Sequence, residues 1–262
     1  MRIERDFHAI LTIAYREILK ALRDPARIIT TLTIPFVLVI VLGNSFQANI
    51  GQNLPYNYLT YTFTGVFAQT LFQSMSLGMI SLIEDRENDF HQELFVAPIS
   101  RSSIMLGKLF GELFIAAMMI IGLLFFGLLT GVPLILPGII ALLLTAFIVC
   151  LLGGAFGLMI LSSIKSQRAA NQIITFFLFP QLFLAGVFTP IQTLPWYLDI
   201  LSRLSPLRYA VDLVRAAFYS GSMEYSKVVL TGFTFDLFVI SVLFLLFFCS
   251  GTILFVRSER SM

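Results

Sequence analysis

Apolar residues dominate six blocks of this chain, residues 28–46, 59–83, 104–129, 139–164, 169–188 and 228–256, with short polar or charged segments between them. A helix needs ~20 apolar residues to cross the hydrocarbon core of a bilayer, and each block reaches or approaches that length. The pattern therefore predicts six membrane-spanning helices. Residues 1–27 read differently. There Phe7, Ile10, Leu11, Ala14, Ile18 and Leu22 recur at helical spacing, while His8, Thr12, Arg16, Lys20 and Arg23 fall on another side. That spacing predicts an amphipathic helix lying on the membrane surface. Asp24 and Pro25 end it, and Pro35 predicts a kink in the first span.

Polar residues inside the blocks refine the picture. Thr60, Thr62, Thr64, Gln69, Gln73, Ser74 and Ser76 soften the second block and predict hydrogen bonds between helices. Tyr56, Tyr58 and Tyr61 at its start suit an aromatic belt at the interface. The glycine pairs Gly107/Gly111, Gly127/Gly131 and Gly153/Gly157 permit close helix contact. Lys108 and Glu112, one turn apart, are placed to neutralise each other.

Residues 84–102 carry the densest charge, with Glu84, Asp85, Arg86, Glu87, Asp89 and Glu93 close together. One Asp at mid-bilayer costs roughly 2.5–3.5 kcal/mol, so this stretch belongs in water. Phe90 and Leu94, with Phe95 beside them, give it one apolar edge at helical spacing, and Pro98 ends the pattern. Two readings fit: a surface knob on which a soluble partner docks, or a solvated loop joining two spans. Residues 189–227 predict two short amphipathic helices broken at Pro206, half-immersed or re-entrant, with Gly186, Pro190, Pro195, Pro206 and Asp212 marking the motif. Asp212 lies four residues after Arg208 and three before Arg215, so this segment is expected to neutralise its own charges. Asp236 falls inside the last block, close enough to its end to reach headgroup water.

Composition agrees with the pattern: 58% hydrophobic residues and 12% charged ones, with a mean hydropathy of +0.90, describe an integral membrane protein. A net charge of +2 without a basic, aromatic-interleaved cluster gives no sign of nucleic acid binding. Cys150 and Cys249 lie in apolar blocks, as packed thiols would. No short apolar core with a small-residue cleavage site precedes the first block, which is expected to be its own insertion signal. Lys and Arg alternate across the blocks as 6, 0, 3, 0, 2, 4 and 2, which predicts that both termini and residues 84–102 are cytoplasmic. The chain has no G-x-x-x-x-G-K-[ST], H-E-x-x-H, C-x-x-C or G-x-S-x-G pattern. It is therefore read as no enzyme, with no metal site, and His8 and His91 as solvated surface residues.

Several motifs together resemble the permease subunits of ABC-2 type exporters, a family of drug-resistance permeases and polysaccharide transporters. They are Q-R-A-A-N-Q at 167–172, F-P-Q-L-F-L-A-G-V-F-T-P at 179–190, L-P-W-Y-L at 194–198 and L-S-R-L-S-P-L-R-Y-A-V-D-L-V-R at 201–215. Residues 84–108 are similar to the family's cytoplasmic coupling helix and its step into the third span. Ala185 stands where the family often has Ser, and Ser205 where Asn is frequent. The resemblance implies an all-α membrane domain of six spans, with an N-terminal interface helix and short extracellular helices between the fifth and sixth. It implies two copies in a cell inner membrane working with two ABC ATPase subunits, which would bind the ATP and Mg; this chain would bind no cofactor. Glu84, Arg86, Glu87, Asp89, Phe90, Glu93, Leu94, Phe95 and Pro98 would couple to the ATPase. Phe176, Phe177, Phe183 and Phe188 would line the pathway of a hydrophobic or amphiphilic small molecule, drug or lipid, or of a lipid-linked polysaccharide. From other classes, a proton-coupled secondary transporter using Asp236 or Glu112 and a non-transporting membrane scaffold stay open.

Overall fold

The computed structural model describes residues 2–23, 25–49, 51, 54–87, 101–164, 166–192 and 194–260, and among these every regular element is helical. Helix α1 is Arg2–Leu22. α2, Pro25–Leu38, runs through a π turn, Val39–Gly43, into α3, Asn44–Asn49. The irregularity expected at Pro35 thus includes a stretch of wider winding one turn later. α4 is Tyr58–Gly78, opened by Asn57, whose side chain accepts a hydrogen bond from the Thr60 amide at 3.1 Å. After a turn at Met79 and Ile80 comes α5, Ser81–Glu87. α6 is Arg101–Leu129, and α7 is Leu136–Leu161, with Pro137 in its first turn where no amide partner is needed. α8 (Gln167–Leu184), α9 (Trp196–Leu204), α10 (Pro206–Phe218), α11 (Tyr225–Val228) and α12 (Phe233–Arg260) complete the order.

Among the described residues five helical stretches are long and apolar enough to cross a membrane: Thr31–Asn49, Tyr58–Glu84, Ser103–Leu129, Leu136–Leu161 and Phe233–Arg257. The fifth block forms α8, but that helix is 18 residues long and its first turns carry Gln167, Arg168, Asn171 and Gln172. It also stops at Leu184. Ala185 and Gly186 turn the chain, with Gly186 at φ +72°, a conformation that a side chain disfavours.

α4 is the axis of the bundle. Almost all its side chains are buried, against α7 on one side and α10 and α6 on others. Two glycines explain how closely α7 approaches: a Cβ on Gly153 would lie 2.5 Å from the Phe72 carbonyl oxygen, and one on Gly157 2.4 Å from that of Ser76. Ser76 Oγ donates across this seam to the Gly153 carbonyl at 2.8 Å. The other hydroxyls expected to bridge helices mostly turn inward: Thr64 and Thr70 donate to carbonyls of α4 itself, as such residues commonly do where no other acceptor is near. Large apolar side chains such as Phe125, Leu128, Leu144 and Leu245 point outward, an arrangement suited to lipid rather than water.

Two expectations change at this level. α10 is not half-immersed on a surface; Leu207, Arg208 and the residues from Ala210 to Ala216 are buried, and the helix is packed among α4, α7 and α12. Tyr56, Tyr58 and Tyr61 are not an outward-facing belt but a buried cluster with Tyr219 and Val228. Cys150 is buried as expected, whereas Cys249 is exposed on the outside of the bundle.

Candidate functional site

At the end of the bundle next to residues 84–102, one lysine joins three elements. Lys108, on α6, lies 3.1 Å from Glu17 Oε1 of α1 and donates to the Ser81 carbonyl at 3.0 Å and to Ser81 Oγ at 3.1 Å, at the start of α5. Lys108 and Glu17 are 1% and 3% exposed, so neither charge is compensated by bulk water. Arg16 and Lys20 stand further from Glu17, at 3.9 and 3.8 Å. α1 reaches this position because Gly107 and Gly111 leave room for it: a Cβ there would lie 2.8 Å from Ile13 Cβ and 2.5 Å from Glu17 Cβ. These glycines therefore serve the interface helix rather than another span. Glu112 is also buried, and Gly78 makes the space, since a Cβ on Gly78 would fall 2.2 Å from its Oε2.

Glu17 was not singled out by the sequence. Its signal is position: it shares the buried side of α1 with Ile13, Ala14 and Ala21, while Phe7, Leu11 and Leu22 are exposed. A carboxylate on the packed face of an amphipathic helix calls for a cation opposite it. Of the proposed coupling residues, Glu84 is half-buried at the end of the second span. Arg86 and Glu87 belong to α5, with side chains outside the described residues. Asp89, Phe90, Glu93, Leu94, Phe95 and Pro98, and with them His91, lie outside the described residues as well.

The opposite end is organised by a second buried cation. Arg215 of α10, 1% exposed, donates to the carbonyls of Gly186 at 2.9 Å, Tyr61 at 3.3 Å and Val187 at 3.4 Å, and its guanidinium carbon sits 3.6 Å over the Tyr61 ring. Tyr58 and Tyr61 donate to the carbonyls of Phe188 and Gly186. The side chains of Arg215, Tyr58 and Tyr61 thus hold the turn after α8 through its main-chain oxygens. Gly65 permits this approach, since its Cβ would meet the Val187 carbonyl at 2.6 Å. Gln181 Oε1 accepts from Ser205 Oγ at 3.2 Å and from the Leu207 amide at 3.3 Å, tying α8 to the break at Pro206.

The charges of α10 do not neutralise one another within the helix. Arg208 pairs with Asp199 of α9 at 3.1 Å and donates to Ser202 Oγ at 2.9 Å. Asp212 instead accepts the amides of Leu230 and Thr231, each at 2.8 Å, stabilising the entry to α12. Its neighbour Asp236 is fully buried and does not reach headgroup water; Thr231 Oγ1 lies 2.6 Å from Asp236 Oδ1 and 2.9 Å from Asp212 Oδ2. The hydrogen bond from Arg208, against opposing burial and with help from Arg203, holds the Asp199 carboxyl below its usual range. Pro195 caps α9 and Pro206 opens α10, the rigid φ of each fitting a helix start. Pro190 is exposed between the Gly186 turn and α9.

The four phenylalanines assigned to a pathway separate. Phe176, Phe177 and Phe183 are exposed on α8, at 72%, 48% and 57%. Phe188 lies beyond the helix, buried in the core at 8%, and shares no face with them. Among the described residues no group of three His, Cys, Asp or Glu side chains is placed to hold a metal ion.

The sequence model described as ABC-2 type transporter matches residues 8–219, which span both ends just described. The chain belongs to the ABC-2 type transporter family. This permease is 26% identical to ycf38 of Cyanophora paradoxa, which carries the name of a transport permease, over 91% of this chain and 84% of that one. It is also 26% identical to YbhR of Escherichia coli (strain K12), which carries the name of a multidrug ABC transporter permease, over 54% of this chain and 38% of that one. The permease is accordingly a multi-pass membrane protein and the membrane subunit of an ABC transporter.

Proposed function

We propose that this permease exports a hydrophobic or amphiphilic small molecule, drug or lipid, as a dimer driven by two separate ATPase subunits that dock on residues 84–98 from the cytoplasm. The observation that carries the reading is the Lys108 junction, which ties α1, α5 and the start of α6 to one another beside that stretch. An ATPase that pulls on residues 84–98 then moves three elements together rather than bending a loop, and α6 carries the shift along its 29 residues. The exposed phenylalanines of α8 favour an apolar cargo over a glycan, and the multidrug name carried by YbhR agrees with this. The distribution of Lys and Arg supports a cytoplasmic position for both termini.

The test is reconstitution with the cognate ATPase in lipid vesicles, comparing the native permease with Phe90→Asp/Leu94→Asp. Loss of transport and of cargo-stimulated ATP hydrolysis, with normal membrane insertion, is the expected result. Unchanged turnover, or labelling of introduced cysteines at 84–98 only from the outer side, refutes it.

A further inference from the structure

We propose that the cavity between the start of α7 and the end of α10 binds an amphiphile with a cationic amine head, which Glu224 and Tyr219 hold. The cavity has a volume of about 1230 Å³, room for a drug-sized ligand or one lipid headgroup with part of a chain. Its lining is two-sided. Ile135, Ala141, Leu144, Phe218 and Phe233 supply an apolar wall, and Ile135 and Leu144, at 69% and 66% exposed, stand at its outer edge. Leu144 lies within a membrane span, so this edge faces the hydrocarbon and a tail can enter sideways. The polar side carries two groups left incomplete by the protein. Tyr219 is 3% exposed, yet its buried hydroxyl has no hydrogen-bond partner among the described residues. Glu224, half-buried, is the one charged residue lining the cavity. Among the described residues its carboxylate makes no hydrogen bond or ion pair, not even with Lys227 one turn on.

A buried hydroxyl without a partner is unfavourable unless a ligand or water completes it. A half-buried carboxylate without a countercharge likewise favours a cation. The two groups sense each other: burial chiefly pushes the Tyr219 phenol up, Arg215 opposes this, and the Glu224 charge adds to it. An ammonium satisfies both at once, donating to the carboxylate and to the phenol oxygen. No Lys or Arg lines the cavity, so an anionic head would meet Glu224 unshielded. A membrane aminophospholipid and a free lipophilic amine share the required chemistry. Binding is read on the permease alone, so failure of the site and failure of the ATP-driven reading are separate outcomes.

The experiment uses the full-length permease in detergent micelles, with dodecylamine as probe and dodecanol as the uncharged control, and bound copies counted by native mass spectrometry. One saturable dodecylamine per chain is expected, with dodecanol far weaker. Glu224→Gln should weaken the amine about tenfold, the loss of one charge-assisted bond, and Tyr219→Phe should weaken it several-fold. Ala141→Phe, which narrows the tail channel, should weaken any twelve-carbon ligand. Should Glu224→Gln fail to fold, Tyr219→Phe carries the test. Displacement of dodecylamine by phosphatidylethanolamine assigns the site to a bilayer lipid, and failure to displace assigns it to a free amine. Equal binding of amine and alcohol, or amine binding unaffected by both polar substitutions, overturns the proposal.

Discussion

Replacing Lys108 by Met tests whether the buried junction at the α1 end holds the fold together. Unit charges 3.1 Å apart attract by about 5 kcal/mol at an effective dielectric of ~20, before desolvation is charged against them. Removing one member of a buried pair costs about 3–5 kcal/mol because the other charge stays behind without its partner. Glu17 would keep Lys20 and Arg16, but at 3.8 and 3.9 Å and with 39% and 29% of those side chains exposed. Water screens such contacts, so they recover part of the loss and place Lys108→Met near 3 kcal/mol, the lower end of that range. Glu17→Leu leaves the lysine charge behind and should cost a similar amount. The double variant buries no orphan in this pair and should lie about 2 kcal/mol above the sum of the single changes. Reversible unfolding of the four proteins in mixed detergent and dodecyl sulfate micelles measures all the terms. A double variant equal to the sum of the singles, or a Lys108→Met protein as stable as the native one, refutes the assignment.

At the other end, Arg215→Met should cost about 3 kcal/mol in the same titration, because the carbonyls of Gly186 and Val187 lose a buried donor. Arg215→Lys should rescue little, since a single ammonium cannot reproduce the planar fork over Tyr61. Gly157→Ala should cost more than about 2 kcal/mol, since its methyl would meet main chain of α4 that cannot turn aside. Gly131→Ala, with open space around it but φ +79°, should cost only about 1 kcal/mol. Because Arg208 holds the Asp199 carboxyl low in the fold, its contribution is present above the ordinary carboxyl value of 3.8 and lost as pH falls through the lower folded value. Unfolding curves of Asp199→Asn measured from pH 6 down to pH 3 should lack that acid limb.

Helix existence was legible because long apolar blocks leave the backbone no other way to satisfy its hydrogen bonds in hydrocarbon. The Pro206 break was legible too, as Pro206 starts α10 directly after Ser205. Partner choice was not. Arg208, Asp212 and Arg215 are spaced for pairing along one helix, yet each bonds to a different element: Arg208 to the Asp199 side chain of α9, Asp212 to main-chain amides before α12, and Arg215 to main-chain carbonyls of the Gly186 turn. Phe188 reads like the other phenylalanines of its block. It differs because Gly186 turns the chain two residues earlier and directs Phe188 into the core. Glu17 and Lys108 are 91 residues apart in sequence, and no local spacing rule joins them.

The way these contacts are distributed bears on the coupling we propose. Among the described residues two buried cations bond between elements near the two ends of α4, Lys108 at one and Arg215 at the other. Between them α4 meets α7 main chain to main chain at Gly153 and Gly157, with a single hydroxyl across the seam. A seam of that kind has few long side chains to change rotamer, so a displacement is not absorbed by local repacking as it is in a looser core. In the coupling we propose, force applied beside Ser81 would reach the Gly186 turn as movement of α4 with α7. The helical path along that route is interrupted at Met79 and Ile80 and turned at Gly186. Stiffening either one changes how far the motion travels without touching a site for nucleotide or cargo, and that separates transmission from binding.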